Sequence, residues 1–176
     1  MDITAIPRQE YVDRLLDVTR QGAAWRTVLE QWREAGGFSV LWGYNPPGAP
    51  LRLAAVLAWA RAAGHAGPEA SREALAIVRA YADLRDGVSP ASVASRVETR
   101  DAGLPLAMDF FSVPVYAGLV RDLRAAGDLA ATDVAFLEAE LPRLVDILFA
   151  FPEWGAHNRA IIRADALDLA ARVLPG

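Results

Sequence analysis

An all-α fold, built as a double-layered array of helical hairpins, is predicted by three features of the sequence. Apolar residues recur at helical spacing along most of the chain. Stretches that are apolar nearly all round alternate with stretches that are apolar on one side, as inner and outer helices do. A short closing motif also repeats: Arg61-Ala62-Ala63-Gly64 ends one all-round stretch and Arg124-Ala125-Ala126-Gly127 ends another. Pairs of one buried and one half-exposed helix stack into solenoids or closed toroids.

Taken in order, Tyr11, Val12, Leu15, Leu16 and Val18 mark a first amphipathic helix. Trp25, Val28, Leu29 and Trp32 mark a second, ended by Gly36-Gly37. The stretch Phe38–Pro50 is too rich in Gly and Pro for a regular element, yet it carries Phe38, Trp42 and Tyr44. Leu51–Gly64 is apolar apart from Arg52 and Arg61, and is assigned to the inner layer. Pro68–Leu84 opens with Pro and Glu69, both suited to a first turn, and has one apolar stripe; it belongs outside. Arg85–Gly103 reads as a polar loop with one short helix after Ser89-Pro90. Leu106–Ala126 returns to the inner pattern, with Asp109 the odd charge and a kink expected at Pro114. Thr132–Phe149 is one-sided again, and Pro142 is expected to kink or split it. The last stretch, Phe151–Gly176, sets Trp154 and His157-Asn158-Arg159 ahead of a helical pattern that stops at Pro175-Gly176.

Composition narrows the chemistry. A chain of 176 residues is long enough for one domain with a core of its own. The apolar share of 53% is high, but no run reads as a membrane span. The net charge of −4, with no basic stripe, argues against a nucleic-acid partner. Absence of Cys excludes disulfides and thiolate catalysis, and His65 and His157 are too far apart in sequence to suggest a metal centre. No cofactor motif is present: there is no phosphate-binding glycine loop, nucleophile elbow or zinc motif. The N-terminus MDITAIPRQEYVDRLL shows no basic segment followed by an apolar run, so no signal peptide is visible.

The blocks LRLAAVLAWARAAGHAGPEASREALAIVRAYADL and EWGAHNRAIIRADALDLAARVLPG resemble the helical domain of the heparinase II/III-like and alginate lyase-like polysaccharide lyases. The resemblance spans Leu51–Gly176 and implies a partial α/α toroid whose cleft receives an acidic polysaccharide. It further implies cleavage beside a uronic acid by β-elimination. That reaction needs one group to neutralise the sugar carboxylate, a base for the C5 proton and an acid for the leaving oxygen. Carried over, Asn158 is the group expected to touch the carboxylate, His157 a general base, and Arg159 a further charge in the same pocket. Tyr116 is the tyrosine within this chain that is considered for catalysis. The order here is His-Asn where many family members have Asn-His. The family's downstream tyrosine and C-terminal β-sandwich domain are not in this sequence, so the chain is expected to be part of a larger lyase-type protein and inactive alone. Membership would imply a periplasmic or secreted location.

Each candidate also has an ordinary reading. Asn158 suits a helix cap, His157 a loop, and Tyr116 a core position. Trp154, Trp42 and Tyr44 either stack on sugar rings or simply pack. A glycoside hydrolase would need two carboxylates at a cleft, and Asp109, Glu98 and Glu153 offer no convincing pair. The alternative to the lyase reading is a non-catalytic helical scaffold for a protein or peptide.

Overall fold

Leu51, Leu53, Ala54, Leu57, Ala58 and Ala60 fall on every side of a helical wheel, and all are buried to within 1%. A helix with no polar stripe must be surrounded. In a computed structural model, which describes residues 8–22, 24–34, 48–87, 112–150 and 157–174, it is. The described helices are α1 (Arg8–Gly22), α2 (Trp25–Glu34), α3 (Gly48–Ala62), α4 (Pro68–Gly87), α5 (Ser112–Ala126), α6 (Ala131–Ala150) and α7 (His157–Val173). The fold is all-α, and no strand occurs among the described residues. Helix α3 packs against α5 and α4 most extensively and against α1 and α2 as well; α5 packs in turn against α7 and α6. The core therefore runs along a row α3–α5–α7, with α4 laid on α3 and α6 laid on α5 and α7. Ala54 and Leu57 are fully buried and Val56 partly so, as an inner helix requires.

The row is parallel, and its C-terminal ends are stitched together. Arg61, in the last turn of α3, reaches Asp128 just beyond α5, with Nε–Oδ2 at 2.6 Å and Nη2–Oδ1 at 2.9 Å. Arg124, in the last turn of α5, donates to the carbonyl of Val173 at the end of α7. The same device thus repeats one helix further along. The outer layer is joined by side chains instead: Arg79 of α4 pairs with Asp133 of α6 at 2.7 Å and lies over the Phe136 ring.

The repeated motif proves to be a repeated helix stop. Gly64 and Gly127 have φ of 77° and 69°, the left-handed region. At Gly64 the His65 N–H donates to Ala60 and the Gly64 N–H to Arg61, which is a Schellman closure. At Gly127 one bond, to Leu123, does the same work. A Cβ at Gly64 would meet nothing within 4 Å, so only backbone strain opposes substitution. Gly64→Ala is expected to destabilise by about 1–2 kcal/mol. Gly118, inside α5 and equally open, is the control: Gly118→Ala is expected to stabilise by about 0.4–1 kcal/mol. Urea unfolding of both variants checks the pair.

Several boundaries differ from the sequence reading, each for a backbone reason. Helix α3 begins at Gly48 rather than Leu51, because Pro50 in a first turn lacks only an N–H that has no helical partner anyway. The described part of the Leu106–Ala126 stretch starts at Ser112, which puts Pro114 in the first turn and removes the reason for a kink. Residues 104–111, with Asp109, lie outside the described residues, as does the loop read over Phe38–Pro47. Pro142 does not split its helix: α6 runs through it, with Leu137, Glu140 and Leu141 buried just before it. Burial on the α5 side outweighs one missing bond to the Glu138 carbonyl.

Candidate functional site

A parallel row gathers the beginnings of α3, α5 and α7 at the end opposite the Arg61–Asp128 clasp. Helix beginnings carry backbone N–H groups without helical partners and about half a positive charge. The usual compensation is an acidic residue in the first turn. The outer helices have it: Glu10 in α1, Glu69 in α4 and Asp133 in α6. The short helix α2 has none, and neither do helices α3, α5 and α7. Each of these three does carry a basic residue in its last turn, Arg61, Arg124 or Arg172. One end of the inner row is therefore compensated by the helices' own last turns, and among the described first-turn residues the other end is not.

The triplet singled out in the sequence falls at the uncompensated end. Helix α7 begins at His157, so His157, Asn158 and Arg159 form its first turn, and their backbone N–H groups are among those free of helical partners. Asn158 is the second residue of α7. The side chains of these three residues are outside what the structure describes, and so are Trp154, Trp42 and Tyr44 altogether.

Tyr116 is the one candidate whose side chain is described. It is 1% exposed, between α5 and α6, and its hydroxyl donates to the Leu137 carbonyl at 3.3 Å. A phenol enclosed in this way fills the core and satisfies a backbone acceptor. Its helix position also sets it one turn inside α5.

At the clasped end the sequence reading missed a network, because its members are far apart in the chain. Asp128 accepts both bonds from Arg61 and a third from the hydroxyl of Ser71, a fully buried residue on α4, at 3.0 Å. The hydrogen bond from Arg61 holds the Asp128 carboxyl below its ordinary range; desolvation opposes this and the Ser71 bond adds to it. The same bond raises the Arg61 guanidinium above its ordinary value. Asp128 is thus the group whose protonation releases the clasp. A carboxyl lowered in the folded state contributes stability above its unfolded pKa and loses it as pH falls through the folded one. Asp128→Asn is accordingly expected to destabilise the protein at neutral pH, and the gap from wild type should close on acidification below the ordinary carboxylate range. Urea midpoints across that range check it. His65, the residue matching Asp128 in the repeat, accepts a bond from Gln9 at its carbonyl and shares another through Nδ1 at 2.7 Å, which pins the start of α1 to the end of α3.

No group of metal-ligating side chains occurs among the described residues. No described helix is long and apolar enough to cross a membrane. The fold and this end define the class of the protein: a two-layered all-α array with a parallel inner row. No family model matches the chain, and no curated protein or solved structure matches it either.

Proposed function

We propose that this chain is a helical module that receives an acidic saccharide at the end where α3, α5 and α7 begin. The observation that carries the reading is that the three parallel helices α3, α5 and α7 begin at one end with no first-turn acid, whereas α1, α4 and α6 have one; α2, outside the inner row, has none either. Three parallel helix beginnings without acids favour an anion there. The resemblance to the heparinase II/III-like and alginate lyase-like helical domains supplies the ligand class, a uronate-containing polysaccharide. On this proposal Asn158 donates its amide N–H to the sugar carboxylate. Arg159 adds charge, His157 is the proton acceptor of a complete lyase, and Trp154, Trp42 and Tyr44 offer stacking faces. Tyr116 is assigned to the core.

Calorimetric titration with an oligomannuronate tests it. Asn158→Ala is expected to weaken binding by about 1–3 kcal/mol, the value of a hydrogen bond to a charged group. Asn158→Asp is expected to abolish binding, because it sets a carboxylate against a carboxylate, while stability at neutral pH stays near wild type. A wild type that ignores the oligomannuronate, or an Asp variant that binds it equally well, overturns the reading. The non-catalytic scaffold reading has one observation in its favour, the exposed apolar side chains on α1 and α7.

A further inference from the structure

Among the described residues, the large apolar side chains left in solvent are Tyr11 at 52%, Val18 at 67% and Ile161 at 70%. They are not scattered. Tyr11 and Val18 stand on α1 and Ile161 on α7, the two ends of the contact chain α1–α3–α5–α7. Each of these helices is already seated on the core by its other face, through Val12 and Leu16 on α1 and through Ala166, Ala170 and Val173 on α7.

The two outward faces complement each other. On α1, Tyr11, Arg14 and Val18 share one face at spacings of three and four residues. On α7, Ala164, Asp168 and Ala171 share the face turned away from α5, with Ile161 one turn earlier. Each face carries an exposed ion pair one turn long, with the acid four residues before the Arg in both. Arg14 follows Glu10 on α1 just as Arg172 follows Asp168 on α7, so the two pairs become complementary when the helices are set antiparallel. Because the start of α1 is pinned to the end of α3 and the inner row is parallel, α1 and α7 run in opposite directions. Set antiparallel with Arg14 opposite Asp168, they bring Glu10 opposite Arg172, Tyr11 opposite Ala171 and Val18 opposite Ala164. Large side chains then meet small ones and both ion pairs can exchange partners. An α1 face on its own antiparallel twin can also exchange Glu10 and Arg14, but that register sets Tyr11 opposite Asp13 and not a small residue.

We infer that the α7 face of one copy docks the α1 face of a second copy, continuing the inner row from molecule to molecule. This inference is independent of saccharide binding, which concerns the ends of the helices and not their outward sides. A contact between two different faces does not close on itself, so assembly should proceed beyond a dimer. Exposed ion pairs of this kind are screened by salt, so added salt should weaken it.

Sedimentation velocity tests it. From micromolar to millimolar protein the weight-average mass should climb from the 19.0 kDa monomer past the dimer. Val18→Glu and Ile161→Glu, both at exposed positions, should each stay monomeric while melting as wild type does. An equimolar mixture of the two retains one good α1 face and one good α7 face, and should form a dimer and nothing larger. A wild type that remains monomeric throughout overturns the inference. So does a mixture that stays monomeric when wild type assembles, or either single variant assembling as wild type does.

Discussion

Tyr116→Ala is expected to lower stability by about 3–5 kcal/mol, the largest loss foreseen for any single candidate residue. The ring is 1% exposed between α5 and α6, and truncation leaves a cavity in the core that its surroundings can close only in part. Tyr116→Phe separates packing from chemistry. It removes the hydroxyl that donates to the Leu137 carbonyl, a loss of about 0.5–1.5 kcal/mol. Denaturant unfolding of both variants checks the ratio. Equal losses from the two would mean that the hydroxyl, and not the ring, carries the role of Tyr116.

Leu57→Ala should be nearly as severe, at about 2–5 kcal/mol. Leu57 is fully buried at the middle of α3, the helix in contact with α1, α2, α4 and α5. Helices on several sides limit how far the site can collapse around the missing atoms. Leu75 on the outer helix α4 is partly buried, so Leu75→Ala should cost clearly less. A Leu57 variant as stable as the Leu75 variant would contradict the assignment of α3 to the inside.

Why the layers were legible and the clasp was not comes down to range. The inner character of Leu51–Gly64 is written in contiguous residues, since a helix without a polar stripe has to be covered. The Arg-Ala-Ala-Gly repeat is likewise local. It marks two left-handed glycines, and the closures at Gly64 and Gly127 involve only neighbouring carbonyls. Arg61, Ser71 and Asp128 come from three separate segments, and nothing in their spacing announces that they meet. Prolines misled in the other direction. Pro50 and Pro114 lie in first turns, where a missing N–H does no harm, and Pro142 is carried by the buried residues around it.

The candidate site was legible only in outline. His157-Asn158-Arg159 stood out as polar residues entering a helix, and they do form the first turn of α7. That this turn shares an end with the beginnings of α3 and α5 depends on the row being parallel, which long-range contacts establish. The absence of first-turn acids could have been read beforehand by comparing each helix start. Its meaning depends on knowing which starts lie together. Tyr116 was drawn toward catalysis by its residue type, and burial returns it to the core.

Backbone amide shifts, followed by NMR during titration with an oligomannuronate, test the proposed role most directly. The account expects the largest shifts at His157, Asn158 and Arg159 and in the first turns of α3 and α5, near Leu51 and Val113, with Gly64, Gly127 and Val173 unmoved. Raising the salt should diminish the shifts, because the proposed attraction is between a carboxylate and the positive ends of helices. Shifts concentrated at Gly64, Gly127 and Asp128, or none at saturating saccharide, would contradict it.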